Sequence, residues 1–203
     1  MKWEPNIDKF ISNADINTLL KATEAYYLTD LKYGRKTWII RHALIELMVG
    51  SGLRIAEARD LKVKDILLSK SEPCLIVRKG KGGRKRTVYI SKRLAKLLLG
   101  YLKEKELIGQ SVSSEASLFA NTKDKPFRRR SLQRSIKEAL KVAGLGSSLS
   151  AHCLRHSYAS EVAKKGNLMM CRSQLGHASI VTSQVYLHVT GEEISHTVDG
   201  LFS

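Results

Sequence analysis

Two short runs rich in β-branched residues, CLIVRK (74–79) and RTVYI (86–90), flank a turn containing Gly80, Gly82 and Gly83. Glycine tolerates the tight geometry such a turn requires, so the runs are expected to pair as a hairpin. VKDILL (63–68) reads as a third strand. This hairpin limits the fold because almost everything around it carries helical periodicity. Helices are expected at 15–33, with Asp15 as N-cap, and at 36–49, with Gly50 and Gly52 just beyond the end. Further helices are expected at 55–60, 91–107, 131–143, 152–165, 168–175, 179–189 and 191–202. The fold class that follows is α+β, mainly α-helical with a small three-stranded antiparallel sheet.

A chain of 203 residues suits one domain with a short appendage and can bury a core without disulfides or metals. No apolar run approaches a membrane span, and the opening MKWEPNIDKF lacks the features of a signal peptide. Cys74, Cys153 and Cys171 show no paired spacing, which suits reduced thiols and a cytoplasmic setting. Lysine and arginine number 35 against 19 acidic residues, a formal charge of +16. That excess favours a polyanion, because neutralised phosphates release their counterions. The cations are clustered: RKGKGGRKR (78–86) holds six in nine positions and KPFRRR (125–130) four in six. Arg78, Lys79, Arg84, Lys85 and Arg86 in the first, and Arg128, Arg129 and Arg130 in the second, are the expected DNA-binding residues. For the arginine triplet, a solvated helix start is the rival reading.

The stretch SAHCLRHSYAS (150–160) sets His152, Arg155 and His156 within one helical turn. Such crowded cations require an anion, a metal or abundant water. Zinc would need more ligands than this pair, and there is no glutamate beside the first histidine. Arg54 follows GSGL at a helix start, Lys81 sits in the hairpin turn, His177 follows Leu-Gly, and Tyr186 lies nine residues later. Each is commonplace alone. Arg54 could be a helix-end cation, His177 a turn histidine and Tyr186 a half-buried aromatic. Lys79, Arg84 and Lys85 compete with Lys81 for any role in the turn.

In order, GLRIAEARDLKVKDI, RKGKGGRKR, HCLRHSYAS and QLGHASIVTSQVYLHV resemble the successive signatures of the tyrosine recombinases, the phage integrase family. The resemblance spans residues 15–190, taken as the catalytic domain, between a lead at 1–14 and a C-terminal helix at 191–203. It implies site-specific DNA strand cleavage and rejoining through a 3′-phosphotyrosine, with neither ATP, metal nor another cofactor. It carries over Arg54, Lys81, His152, Arg155, His177 and Tyr186 as catalytic, and Glu57 as a supporting acid, with His156 structural or supporting. The chemistry explains the residue types. Guanidiniums fork onto non-bridging phosphate oxygens, a tyrosine stores the bond, and a lysine can protonate the leaving 5′-oxygen.

The expected partner is a double-stranded recombination site bound by a homotetramer, monomeric in free solution, with accessory DNA-bending proteins as possible helpers. Ile194, Val198, Leu201 and Phe202 form an apolar stripe that either packs on its own core or docks into a neighbouring protomer. The resemblance implies that many relatives carry an N-terminal helical domain that clamps DNA from the opposite side, and only about a dozen residues precede the pattern here. A naturally short recombinase, a fragment and a partner-dependent protein all fit that arrangement. A relaxing topoisomerase of the same chemistry, and a DNA-binding regulator that keeps the fold, are the competing functions.

Overall fold

The computed structural model describes residues 11–68, 71–78, 80, 83, 85–121, 123–165, 168–175 and 198–199. Helix α1 (Asn13–Lys32) begins two residues before the expected start, and its N-cap is Ser12, not Asp15. The Ser12 hydroxyl accepts from the Asp15 N–H (3.1 Å) and donates to the Asp15 carboxylate (2.8 Å), so the aspartate sits in the first turn. Helix α2 (Thr37–Ser51) is almost wholly buried from Ile39 onward and forms the centre of the molecule. It runs through Gly50 and stops at Gly52, a left-handed C-cap at φ 59°. Helix α3 (Ile55–Asp60) follows as expected.

The sheet is smaller than its sequence suggests. Strand β1 (Ile66–Leu67) is preceded by a 3-10 turn, Val63–Asp65, where VKDILL reads as continuous strand. Asp65 causes the turn. Its buried carboxylate accepts from the Lys62 N–H (3.0 Å) and from the Arg78 guanidinium, which curls the chain back. Strands β2 (Cys74–Val77) and β3 (Arg86–Tyr89) pair antiparallel, Cys74 with Tyr89 and Val77 with Arg86, and the sheet order is β1-β2-β3. Gly83 at φ 75° donates its N–H to the Gly80 carbonyl between β2 and β3.

Helix α4 (Lys92–Leu107) is capped by the Ser91 hydroxyl. Helix α5 (Arg129–Val142) buries Leu132, Ile136, Ala139 and Leu140 on one stripe. It starts earlier than expected, so Arg128 is the N-cap and Arg129 and Arg130 lie in its first turn rather than before it. Helices α6 (Ala151–Lys165) and α7 (Leu168–Leu175) complete the described elements. The helix expected at 179–189 lies outside the described residues, as does most of 191–202. Val198 is described and packs against Tyr158, Val162, Met170 and Leu175 of its own chain. Beside it, the Asp199 carboxylate accepts from the Lys92 N–H at 2.7 Å, at the start of α4. No helix among the described residues is long and apolar enough to cross a membrane.

One polar cluster holds α1, α2 and α4 together. The Thr23 hydroxyl lies within hydrogen-bond distance of both the Leu20 carbonyl and Nδ1 of buried His42, at 3.0 Å each. Glu46 faces the other imidazole nitrogen at 4.0 Å but is bound by both ends of the Arg93 fork. Burial holds the His42 imidazole below its usual range, against the pull of Glu46 and Glu24. The unfolded chain therefore takes up a proton below about pH 6.5 that the folded chain resists, and stability falls as pH drops through that window. Thermal melts between pH 7.5 and 5.5 are expected to show falling Tm, with a shallower slope in His42→Gln. His156, also shifted downward, accounts for part of the remaining slope.

Candidate active site

The left-handed turn at Gly52 starts the site. It delivers Arg54 to the N-cap of α3, and one turn on, Glu57 accepts the Arg54 N–H (2.8 Å) and its guanidinium (3.0 Å). The Arg54 side chain stays about 30% exposed, whereas that of Glu57 is 4% exposed. Arg155 comes from α6 and is buried, donating to the Gly52 and Leu175 carbonyls, the latter at 2.8 Å, with Glu57 at 3.8 Å. Burial would raise the Glu57 carboxyl, but hydrogen bonds from Arg86 and Arg54 outweigh it and hold the group below the usual range. Glu57 is therefore an anion that spaces the arginines.

Arg54, Arg155 and His152 line one open cavity of about 540 Å³, with Arg129, Gln133 and Lys137 from α5 on its other side. His152 is exposed, and its Nε2 lies 2.8 Å from Nε2 of His156, with the rings edge to face. One nitrogen of that contact must carry the proton and the other accept it. Burial, then electrostatic repulsion from the neighbouring His152 and Arg155 side chains, lowers the His156 imidazole. Among the described residues no three His, Cys, Asp or Glu side chains gather as a metal-ligand set. A wall of guanidinium, imidazole and ammonium groups suits an anion with several oxygens.

Two of the expected DNA contacts have other partners. Arg86 is 12% exposed at its side chain and makes a two-pronged pair with Glu57 (2.8 Å each), so its guanidinium braces the site rather than facing solvent. Arg78 is half-exposed but its Nε is held by Asp65. Lys85, Arg128, Arg129 and Arg130 are exposed as expected. Lys79, Lys81, Arg84, His177 and Tyr186 lie outside the described residues. Gln133 and Lys137 are additions that sequence reading missed. Their signal was present, since 129, 133 and 137 are spaced by four along the exposed edge beside the apolar stripe of α5.

The model of the phage integrase family matches residues 9–193, nearly the whole chain. The chain belongs to the phage integrase family. It is 32% identical over 158 residues to tyrosine recombinase XerC of Vibrio cholerae, covering 77% of this chain and 49% of that protein. It is 31% identical over 196 residues to tyrosine recombinase XerD of Ralstonia nicotianae, covering 95% and 60%. The chain thus spans about half the length of the curated relatives it matches. Among solved structures, XerA recombinase aligns with a TM-score of 0.70 at 24% identity, over 96% of this chain and 64% of that one. XerH site-specific recombinase bound to its difH substrate aligns at 0.67 and 27% identity, over 84% and 47%. The mainly helical fold with one three-stranded antiparallel sheet is therefore shared with solved recombinases of this family.

Proposed function

We propose that this chain carries the strand-cleaving site of a site-specific DNA recombinase, of integrase or inversion type. The observation that supports the reading is the convergence of Arg54, His152 and Arg155 on one cationic cavity, in a chain of the phage integrase family. The substrate is a phosphodiester of a duplex recombination site. Arg54 and Arg155 hold its non-bridging oxygens and offset the charge that builds there as the phosphorus becomes five-coordinate. Tyr186 Oη attacks phosphorus while His152 receives the phenolic proton. The 5′-oxygen departs with a proton from Lys81, and His177 hydrogen-bonds the phosphate. The product is a 3′-phosphotyrosine and a free 5′-hydroxyl. Attack of another 5′-hydroxyl runs the same steps backward, so bond energy is conserved without ATP, and no metal is required.

Strand exchange requires protomers on two sites, and a homotetramer on DNA, with the free protein monomeric, is the matching assembly. XerH is solved on its recombination substrate, which accords with DNA as the partner. The setting that fits is the bacterial or archaeal cytoplasm. Arg128, Arg129 and Arg130 crowd the N-terminal end of α5, where the helix dipole disfavours cations, and a backbone phosphate would relieve that strain. Replacing all three by glutamine is expected to weaken binding to every duplex alike. It should also reduce the slope of log K against log salt by roughly 0.9 per lost phosphate contact. Titrations on two unrelated duplexes at several salt concentrations check this.

The function itself is tested with nicked duplexes from which a short fragment diffuses away after cleavage, in EDTA and without ATP. A denaturation-resistant protein–DNA adduct that is absent from Tyr186→Phe is expected. Salt-sensitive binding with no adduct, on a sequence shown to be tightly bound, would point instead to a regulator.

A further inference from the structure

Three guanidiniums share the Glu57 carboxylate: Arg54, Arg86 and Arg155. They do not share it equally. Arg86 covers both carboxylate oxygens, Nη1 to Oε1 and Nη2 to Oε2 at 2.8 Å each. Arg54 reaches Oε1 through one guanidinium nitrogen at 3.0 Å, and Arg155 stands 3.8 Å from Oε2. The third arm of Arg86, Nε–H, donates to the Gln174 carbonyl at 3.0 Å, next to the Leu175 carbonyl that Arg155 holds. Arg86 opens strand β3 five residues after Lys81 in the sequence, and Gln174 lies three residues before His177. One side chain therefore ties β3 to α3 and to the end of α7.

We infer that Arg86 is a positioning residue for strand cleavage: by occupying both oxygens of Glu57 it keeps Arg54 and Arg155 available to the scissile phosphate. The inference rests on the phosphoryl-transfer reading above. Its physical basis is competition. A buried carboxylate without its two-pronged partner closes onto the nearest guanidinium, because an arginine fork matches a carboxylate as well as it matches a phosphate. Removal of Arg86 turns Glu57 from a spacer into a rival of the substrate. Lysine is a poor substitute, since a single ammonium covers both oxygens and the Gln174 carbonyl less well than a planar fork.

Single-turnover cleavage of the nicked duplex, DNA affinity across a salt series, and Tm are compared for wild type, R86K, R86Q and the double variant E57Q/R86Q. R86Q is expected to cleave at least about tenfold more slowly from the bound complex, with R86K intermediate. Affinity and salt slope should be unchanged in both. The double variant is expected to cleave faster than R86Q, because the neutral amide at position 57 no longer draws the arginines away. A merely structural role would leave the double variant no better than R86Q. A phosphate contact would instead lower the salt slope by roughly 0.9 and leave cleavage per bound complex intact. Either result overturns the inference. If R86Q alone fails to fold, R86K against wild type and the double variant carries the comparison, and equal cleavage in all three overturns it. Wild-type protein that binds tightly but forms no adduct overturns the recombinase reading, and this inference with it.

Discussion

Arg155→Lys is expected to lower strand cleavage by at least about a hundredfold while leaving DNA binding nearly intact. Arg155 is buried, and its guanidinium donates to the Gly52 and Leu175 carbonyls and faces Glu57, on the wall of the cationic cavity. A lysine ammonium is a point charge that cannot span two carbonyls and a phosphate at once. Each buried carbonyl left without a donor costs about 1–3 kcal/mol, so Tm should also fall, by several degrees. The loss of cleavage goes beyond that of stability, because the positive charge remains but its fork does not. Cleavage rates at a temperature well below both melting points, together with melting curves, separate the two effects. Cleavage within a few-fold of wild type would show that Arg155 is a structural tie between α6, α7 and the Gly52 turn.

Gly52→Ala is expected to destabilise the fold strongly. Gly52 has φ 59°, and a methyl group built on it would lie 2.3 Å from Cδ1 of Tyr158. Tyr158 is fully buried among Val162, Met170, Leu175 and Val198, so the ring cannot swing aside. A left-handed alanine costs roughly 1 kcal/mol and overpacking a filled core about 1–3 kcal/mol more. The sum is about 2–4 kcal/mol, or roughly 4–16 °C in Tm for a chain of this size. Gly34 is the internal control. It has φ 64° but nothing within 4 Å of an added methyl, so Gly34→Ala should show the backbone cost alone. Equal losses at the two positions would mean that the Tyr158 contact contributes little. The Gly52 carbonyl also accepts from Arg155, so this turn joins the stability of the core to the geometry of the cavity.

The helices were legible because their apolar residues recur at helical spacing, and β2 and β3 because their β-branched runs flank a glycine-rich turn. What sequence could not show was the choice each polar side chain makes among partners. Asp65 reads as part of a strand until its carboxylate is seen curling the chain into a 3-10 turn. Asp15 reads as a cap because the type is right, but Ser12 is three residues earlier and takes the position. Arg86 sits in a run of six cations and reads as one more phosphate contact, whereas folding places it opposite a glutamate 29 residues away. Charge clustering registers the polyanion but does not separate cations that face solvent from those that brace the site. Arg54, His152 and Arg155 were found through an ordered pattern, and the structure brings these three to one cavity. The α5 wall, Arg129 with Gln133 and Lys137, was visible as a four-residue spacing that sequence reading passed over.

The identity of the covalent link tests Tyr186 as the nucleophile most directly. The adduct trapped on nicked duplex should be digested with nuclease and protease and the modified peptide sequenced by mass spectrometry. The predicted result is a nucleotide joined through its 3′-phosphate to Tyr186, with the complementary DNA fragment ending in a free 5′-hydroxyl. A link to any other side chain, or one through a 5′-phosphate, would contradict the assignment of Tyr186 as nucleophile and of Lys81 as the acid that protonates the leaving oxygen.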